Sequence, residues 1–178
     1  GGSTIVQDDD TLGNINFAAA DGTDINTIAA SIVAQVDGTP GANDMPGRLI
    51  FKTTADGANS ATERVRIDSG GNFGIGSNNP QVLLHIASAT PTLRIQDTTN
   101  NFYSHISVDD SGSLTLDGDA GNGAGSSRVV FKTDGSEHVR ITNAGLVGVG
   151  TDTPVTESGW GNTLHIHTAA SGSNVRFS

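Results

Sequence analysis

The sequence predicts an all-β protein built of short strands that repeat along the chain. A framework of short motifs occurs twice, and pairs of alternating apolar residues stand between turn signals throughout. Only 34% of the residues are hydrophobic and 4% aromatic, against roughly 45–50% apolar residues in ordinary soluble domains. Such a chain either stays disordered or forms a thin β structure that completes its core with copies of itself. The regular alternation favours the second outcome.

The repeat is clearest at two segments that contain Gly-x-Gly. Residues 74–80 read Gly-Ile-Gly-Ser-Asn-Asn-Pro and residues 148–154 read Gly-Val-Gly-Thr-Asp-Thr-Pro. Upstream, residues 48–53 return at 128–133, and downstream Leu-His-Ile occurs at 84–86 and 164–166. The offset between the copies is 80, then 74, then 80 residues, so loops changed in length while the framework was kept. We predict a lead-in at 1–10, an N-terminal β segment at 11–47, a first repeat unit at 48–127 and a truncated second repeat unit at 128–178.

The N-terminal part of the chain changes from a polar segment to predicted strands and a loop. Residues 1–10 are polar and lack a period, and Asp8, Asp9 and Asp10 are expected to be solvated. Residues 12–17 predict a strand ended by a turn at 21–22. Residues 24–37 fit either a helical stripe or a strand; we expect a strand at 31–36, with room for one helical turn before it. Residues 39–47 predict an ordered loop because they contain two prolines.

From residue 49 onward the pattern is uniform. Each predicted strand carries two apolar residues on one face, and turn residues follow at the 8–12-residue spacing typical of all-β proteins. The pairs are Leu49 and Phe51, Val65 and Ile67, Phe73 and Ile75, Leu84 and Ile86, Leu93 and Ile95, Ile106 and Val108, Leu114 and Leu116, Val129 and Phe131, Val139 and Ile141, Val147 and Val149, Leu164 and Ile166, and Val175 and Phe177.

The glycines of Gly74-Ile75-Gly76 leave one strand face without side chains. A glycine inside a strand marks a bulge or a place where another backbone comes close. The segment therefore forms either a tight turn within a single-chain β-solenoid or a contact between identical chains around a common axis. The low apolar content favours the second interpretation.

Charge and composition exclude several functions. The net charge is −10 and no basic cluster occurs, which disfavours nucleic-acid binding because Lys and Arg contacts to phosphate dominate that affinity. The absence of Cys removes disulfides, Cys-ligated zinc and thiol catalysis. No apolar run approaches the length of about 18 residues that membrane insertion requires.

Three stretches carry a resemblance to a known family. They are 51–57 (Phe-Lys-Thr-Thr-Ala-Asp-Gly), 63–67, and 71–76 with Pro80. They resemble the repeated module of tailed-bacteriophage tail fibres, and the segment 37–49 is similar to what often precedes that module. The resemblance covers about residues 12–154.

The resemblance implies an elongated fibre in which strands of three identical chains are intertwined or stacked as a β-helix or β-prism about a threefold axis. The implied function is structural: an extracellular tail-fibre shaft of the virion that spaces or presents a host-receptor-binding tip. Its implied partners are other tail proteins and a host surface glycan or protein. An intramolecular chaperone domain commonly lies downstream in this family, and we expect the chain to be a piece of a longer protein.

Two other functions stay open: a polysaccharide-degrading tailspike and a bacterial surface adhesin stalk. A glycosidase needs two carboxylates that flank the scissile bond, but Glu63 and Glu137 recur beside Arg66 and Arg140, which predicts structural pairing on an exposed face. Residues 136–138, Ser-Glu-His, place candidate catalytic groups only in sequence. We assign no catalytic residue and expect no enzyme activity.

No cofactor is expected, with one candidate exception. His165 and His167 share a strand face, so three chains would bring six imidazoles to the axis, a set suited to a divalent transition metal. The first copy has Ala87 in the second position, which argues against this site.

The remaining candidates are loops. Residues 117–122 resemble the start of a calcium loop, but Arg128 stands where such a loop needs Glu, so a solvated turn is expected, as for Asp109 and Asp110. The segment 151–162 contains Trp160, which either contacts a surface glycan or packs under its own loop.

Overall fold

The computed structural model describes residues 4–155 and 163–166, and every helix or strand found there is a β-strand. The strands are β1 (Thr11–Ala19), β2 (Thr27–Val36), β3 (Gly47–Thr53), β4 (Thr62–Ile67), β5 (Phe73–Ile75), β6 (Leu84–Ile86), β7 (Thr92–Asp97), β8 (Phe102–Val108), β9 (Leu114–Asp117), β10 (Arg128–Thr133), β11 (Ser136–Thr142), β12 (Val147–Val149) and β13 (Leu164–Ile166). The prediction of an all-β protein is confirmed. None of the described residues forms a helix with the length and apolarity needed to cross a membrane.

Each apolar pair predicted from residue 49 to residue 166 lies in a strand. The pair Val175 and Phe177 lies outside the described residues. The expected helical turn before residue 31 is wrong, because β2 begins at Thr27 and is paired on both sides, with β1 and with β3. Cross-strand pairing and the β-branched side chains of this segment outweigh its helical periodicity.

The chain divides into two compact units, Gly1–Pro91 and Thr92–Ser178. The N-terminal unit contains one open sheet with the strand order β1-β2-β3-β4-β5-β6. The C-terminal unit contains two sheets, β7-β8-β9 and β10-β11-β12-β13. These units reflect contacts, whereas the boundaries predicted at 47/48 and 127/128 reflect sequence repeats, so those boundaries stay a prediction.

The two sequence copies fold alike. Strands β3 to β6 and β10 to β13 have the same order, antiparallel except for a final parallel pair. Phe51 lies opposite Val65 and Phe131 opposite Val139, and the register shifts directly after each Phe. The β3–β4 loop is longer than the two-residue turn at 134–135, which places one predicted length change in a loop.

The copies differ upstream of this framework. In the N-terminal unit β2 pairs with β3. In the C-terminal unit β9 and β10 belong to different sheets, although Asp37-Gly38 before β3 and Asp117-Gly118 before β10 stand at the same spacing. A cavity in the C-terminal unit is lined by residues of β7, of β8 and of the segment between β9 and β10.

The core is small, as the low apolar content requires. Among the described residues the buried apolar side chains are Val33, Val36, Ile50 and Leu146. Most other large apolar side chains keep more than a third of their surface exposed. The elements are therefore held largely by cross-strand hydrogen bonds and by a few ionic contacts.

Candidate functional site

The N-terminal unit carries an apolar face that spans its six strands. Directly paired residues point to the same side of a sheet, so the register defines two rows that share one face, here called the apolar rows. The outer row contains Ile15, Ile32, Phe51, Val65, Ile75 and Ile86, and the inner row contains Ala34, Leu49, Ile67, Phe73 and Leu84. No charged residue belongs to either row. Ile15 is 59% exposed and Leu84 55% exposed.

The C-terminal unit repeats these rows on β10 to β13. The register aligns Val129, Ile141, Val147 and Leu164 in one row, and Phe131, Val139, Val149 and Ile166 in the other. Phe131 and Leu164 are exposed. The same face of the framework is thus apolar and partly exposed in both copies, and in the C-terminal unit Val129 and Phe131 share a cavity with residues of the β7-β8-β9 sheet.

The opposite face of β5 explains the glycines. A side chain at Gly74 would place Cβ 2.6 Å from the Ser77 carbonyl oxygen and 3.5 Å from Arg66 Cγ. At Gly148 the corresponding distances are 2.8 Å to the Thr151 oxygen and 3.4 Å to Arg140 Cγ. The backbone that comes close to each glycine is therefore the following turn of the same chain. This geometry supports the tight-turn interpretation of the glycines, and a contact between identical chains stays a prediction.

Next to the glycines, Arg66 and Arg140 bind the expected carboxylates. Arg66 donates from Nε to Glu63 Oε1 at 2.6 Å and from Nη2 to Oε2 at 2.8 Å, and Arg140 makes the same two bonds to Glu137. Residues three apart in a regular strand face opposite sides, and the register shift in this hairpin brings them together. The structural pairing is confirmed, but the face is not exposed: the Arg66 side chain is 11% exposed and that of Glu63 23%.

The two ion pairs shift the pKa values of their members. The hydrogen bond from Arg140 lowers the pKa of Glu137, and the bond to Glu63 raises the pKa of Arg66. Glu137 therefore stays ionised and uses both oxygens on Arg140. His138 lies on the other side of β11, where its Nε2 is 2.7 Å from Thr133 Oγ1. The structure does not bring Ser136, Glu137 and His138 together as a catalytic triad.

A second ionic cluster surrounds Arg48 at the start of β3. Arg48 donates to Asp37 Oδ1 at 3.0 Å, to Asp9 and to Gln35 Oε1, and its side chain is only 9% exposed. Asp8 accepts a hydrogen bond from the Gly38 N–H at 2.8 Å. Asp8 and Asp9 are solvated as expected, with side chains 59% and 77% exposed, and in addition they tie the lead-in to the sheet.

Asp109 and Asp119 accept hydrogen bonds inside their own turns. Asp109 accepts hydrogen bonds from the N–H groups of Ser111 and Ser113 at 2.9 Å. Asp119 accepts from Gly123 N at 3.2 Å and from Ala124 N at 2.7 Å. These carboxylates satisfy backbone donors of their own loops, as Asp commonly does in turns.

The candidate metal site consists of His165 and His167. His165 lies on β13 opposite Gly148, as His85 lies opposite Gly74, whereas His167 is outside the described residues. Across residues 4–155 and 163–166, no group of three or more His, Cys, Asp or Glu side chains is placed to hold a metal ion. Residues 156–162, with Trp160, also lie outside the described part of the chain, so glycan contact there stays a prediction.

Sequence reasoning missed two features: the continuous apolar face and the different surroundings of Arg48 and Arg128. The repetition of Arg48 as Arg128 was visible, but the partners of each arginine were not. A scan against protein-family models and a search of curated proteins find no match to the chain. The resemblance to tail fibres therefore rests on the short motifs themselves.

Proposed function

We propose that the chain is a structural segment of a phage tail-fibre shaft, which assembles as a homotrimer through its apolar rows. The observation that supports this proposal is the partly exposed apolar face, present in both copies of the framework. Six strands about 4.8 Å apart with two rows of side chains give the N-terminal face a projected area on the order of 400 Å². The largest apolar patch of a typical monomer measures about 300–600 Å² and is often functional, so a face of this size is compatible with an interaction surface.

A second copy of the chain is the occupant that best fits this face. The rows carry no charge, so an apolar partner surface is required, and the chain itself presents such a surface twice. Its net charge of −10 would hold copies apart at long range, which places the attraction in the apolar contact. The elongated fibre, the threefold axis and the role in host attachment come from the resemblance.

The half-exposed residues of the apolar rows provide the driving force for assembly. Burying apolar surface contributes about 25 cal/mol per Å², so several half-exposed residues per chain supply a substantial driving force. The glycine face needs no partner because the chain's own turns cover it. In this arrangement the apolar rows, and not the Gly-x-Gly segments, face the other chains.

The test is the mass in solution by light scattering, with negative-stain images of the same peak. We expect three times the 18.1 kDa chain mass and thin rods. The double variant Ile15→Lys with Leu84→Lys places charges on the apolar rows and should give single chains that retain their strand signal. The matched control, Ile25→Lys with Leu83→Lys, changes apolar residues that are 76% and 77% exposed outside the rows and should remain trimeric. A monomer of the unaltered protein, or equal masses for both double variants, would overturn the proposal.

A further inference from the structure

The edge of the repeated framework is paired in one unit and unpaired in the other. In the N-terminal unit β2 pairs with β3. The repeat makes β10 the counterpart of β3, and β9 the counterpart of the end of β2, yet β9 and β10 are end strands of two different sheets. Among the described residues no backbone hydrogen bond joins these two strands. Each therefore presents an edge that can pair with another strand.

The two unpaired edges border one cavity within the C-terminal unit. Apolar side chains of both sheets line this cavity of about 310 Å³, Ile106 and Leu116 from one sheet and Val129 and Phe131 from the other. A Cβ at Gly118 would lie 2.9 Å from the carbonyl oxygen of the first residue of β10. The edges are therefore neighbours in the fold although they are not paired.

The connection between β9 and β10, residues 118–127, packs on β8 instead of forming a hairpin. Ala120 donates its N–H to the Tyr103 carbonyl oxygen at 2.9 Å, and a Cβ at Gly121 would lie 2.7 Å from the Tyr103 ring. The connection is as long as the one between β2 and β3, residues 37–46. Its length therefore suits a hairpin, and its glycines give the backbone freedom to change path.

The register of β2 and β3, carried over to the second copy, places apolar residues beside apolar residues. Ala34 lies opposite Leu49, and their counterparts are Leu114 and Val129. Leu114 is 66% exposed and lies opposite Val108 of β8. Pairing in this register would continue the apolar row of β10 onto β9 and β8. A slip by one residue would turn Leu114 to the other face, so the pattern fits one register.

The same register gives two charged residues a partner. In the first copy Asp37 and Arg48 form an ion pair at 3.0 Å, and Asp117 and Arg128 stand at the same spacing. In the described part of the chain neither Asp117 nor Arg128 belongs to an ion pair. Arg128 donates to the Ser126 carbonyl oxygen at 3.2 Å. Pairing of β9 with β10 would bring the two charges together as in the first copy.

We propose that the C-terminal unit has a second, closed state, in which β9 pairs with β10 in the β2–β3 register and residues 118–127 leave the Tyr103 ring. The two sheets then form one continuous sheet from β7 to β13. Closure exchanges the contacts of the connection with β8 for a strand ladder, an ion pair and a longer apolar row. A short ladder is sufficient elsewhere in this chain, because β5 and β6 pair over three residues. The proposal goes beyond the proposed function, since it concerns pairing within one chain.

The experiment traps the closed state with a disulfide, because the chain contains no Cys. The variant Leu114→Cys with Val129→Cys places two thiols directly opposite each other in the closed state, at a separation that a disulfide can span. Oxidised glutathione is added to the full chain, and mass spectrometry of linked peptides follows the bond over time. We expect a bond within the chain that forms roughly tenfold faster than in Leu114→Cys with Val130→Cys, whose second thiol lies on the other face. Ala34→Cys with Leu49→Cys, on strands that are already paired, gives the rate for a closed pair.

A charge variant tests the ion pair separately. Asp117→Asn, added to the variant with Leu114→Cys and Val129→Cys, should slow formation of the bond several-fold because it weakens the closed state alone. Asp110→Asn removes the same charge from an exposed position between β8 and β9 and should leave the rate unchanged.

Equal rates for the in-register and the shifted thiol pairs would overturn the proposal, and so would a disulfide that forms only between chains. An Asp117→Asn variant that reacts as fast as its parent would also overturn it. Circular dichroism checks that each reduced variant keeps its strands, and Leu116→Cys with Ser127→Cys, which are opposite in the same register, provides a second trap. Light scattering reports the trimer separately, so failure of closure and failure of the shaft can be distinguished.

Discussion

At the scale of single residues, glycines and arginine ion pairs provide close packing and contacts that a larger apolar core provides in other proteins. Gly74 is buried beneath the turn that ends at Pro80, and the stem of Arg66 lies across it. The guanidinium of Arg66 then reaches back to Glu63 through a register shift in the same hairpin. The turn, the glycine and the ion pair thereby pack on the same face as Ile50, the buried apolar residue opposite Arg66.

Replacing Gly74 with Ala should destabilise the protein by about 1–3 kcal/mol, the usual effect of forcing a side chain into a filled site. The reason is that the new Cβ meets a backbone oxygen at 2.6 Å, and backbone cannot move as cheaply as a flexible side chain. Urea unfolding followed by circular dichroism measures the change. Gly13→Ala is the control, because nothing lies within 4 Å of a Cβ there. Equal stability of the two variants would contradict the account.

At the scale of elements, Arg48 joins segments that are far apart in sequence. It binds Asp9 of the lead-in and Asp37 after β2, and Asp37 also accepts from the Ser69 N–H at 2.7 Å in the β4–β5 turn. Burial alone would raise the pKa of Asp37, but the hydrogen bonds from Ser69 and Arg48 outweigh it and the pKa is lowered. The ionised form is thus the one that the fold stabilises.

Because the folded pKa of Asp37 is lowered, its contribution is present above the ordinary carboxyl value of 3.8 and is lost as the pH falls through the lowered value. We expect Asp37→Asn to lower the unfolding free energy at pH 7 by roughly 1–2 kcal/mol. The variant should also lose less stability in acid than the unaltered protein. Chemical denaturation between pH 2 and pH 7 measures both effects. Asp56→Asn, at an exposed loop position, should change neither the unfolding free energy at pH 7 nor the loss of stability in acid. If Asp37→Asn also left both quantities unchanged, the role of the cluster would be refuted.

At the scale of the whole molecule, two forces act on any assembly of this chain. The apolar rows attract identical copies, while a charge of −10 on each chain repels them. Salt screens the repulsion and leaves the apolar contact intact or strengthened. The response of the assembly to salt therefore reports which force holds it.

We expect the trimer to become more stable when the salt concentration is raised from about 0.01 M to about 0.15 M, which shortens the Debye length from about 30 Å to about 8 Å. Light scattering over a dilution series gives the dissociation concentration at each salt level. The Ile15→Lys, Leu84→Lys variant should stay monomeric at both. An assembly that weakens with salt would indicate ion pairs between chains and would contradict an apolar interface.

Much of the fold could be predicted because its signals are local. An alternation of period two, as at Leu49 and Phe51, reports which side of a strand is apolar, whatever the strand pairs with. The Glu63–Arg66 pairing followed from its recurrence at Glu137 and Arg140. The helical periodicity before residue 31 gave a wrong prediction, because β2 is paired with a strand on each side. A local sequence pattern contains no information about such pairing.

The sequence by itself determined the strands, their turns and the repeated framework. Only the tertiary structure decided which backbone covers Gly74, because a glycine indicates that a chain comes close without indicating which chain. It also decided that Arg48 is neutralised while Arg128 lines a cavity, although the two arginines share one motif. The physical reason is the same in both cases: partners distant in sequence are brought together by strand register and sheet topology, and those depend on the whole fold.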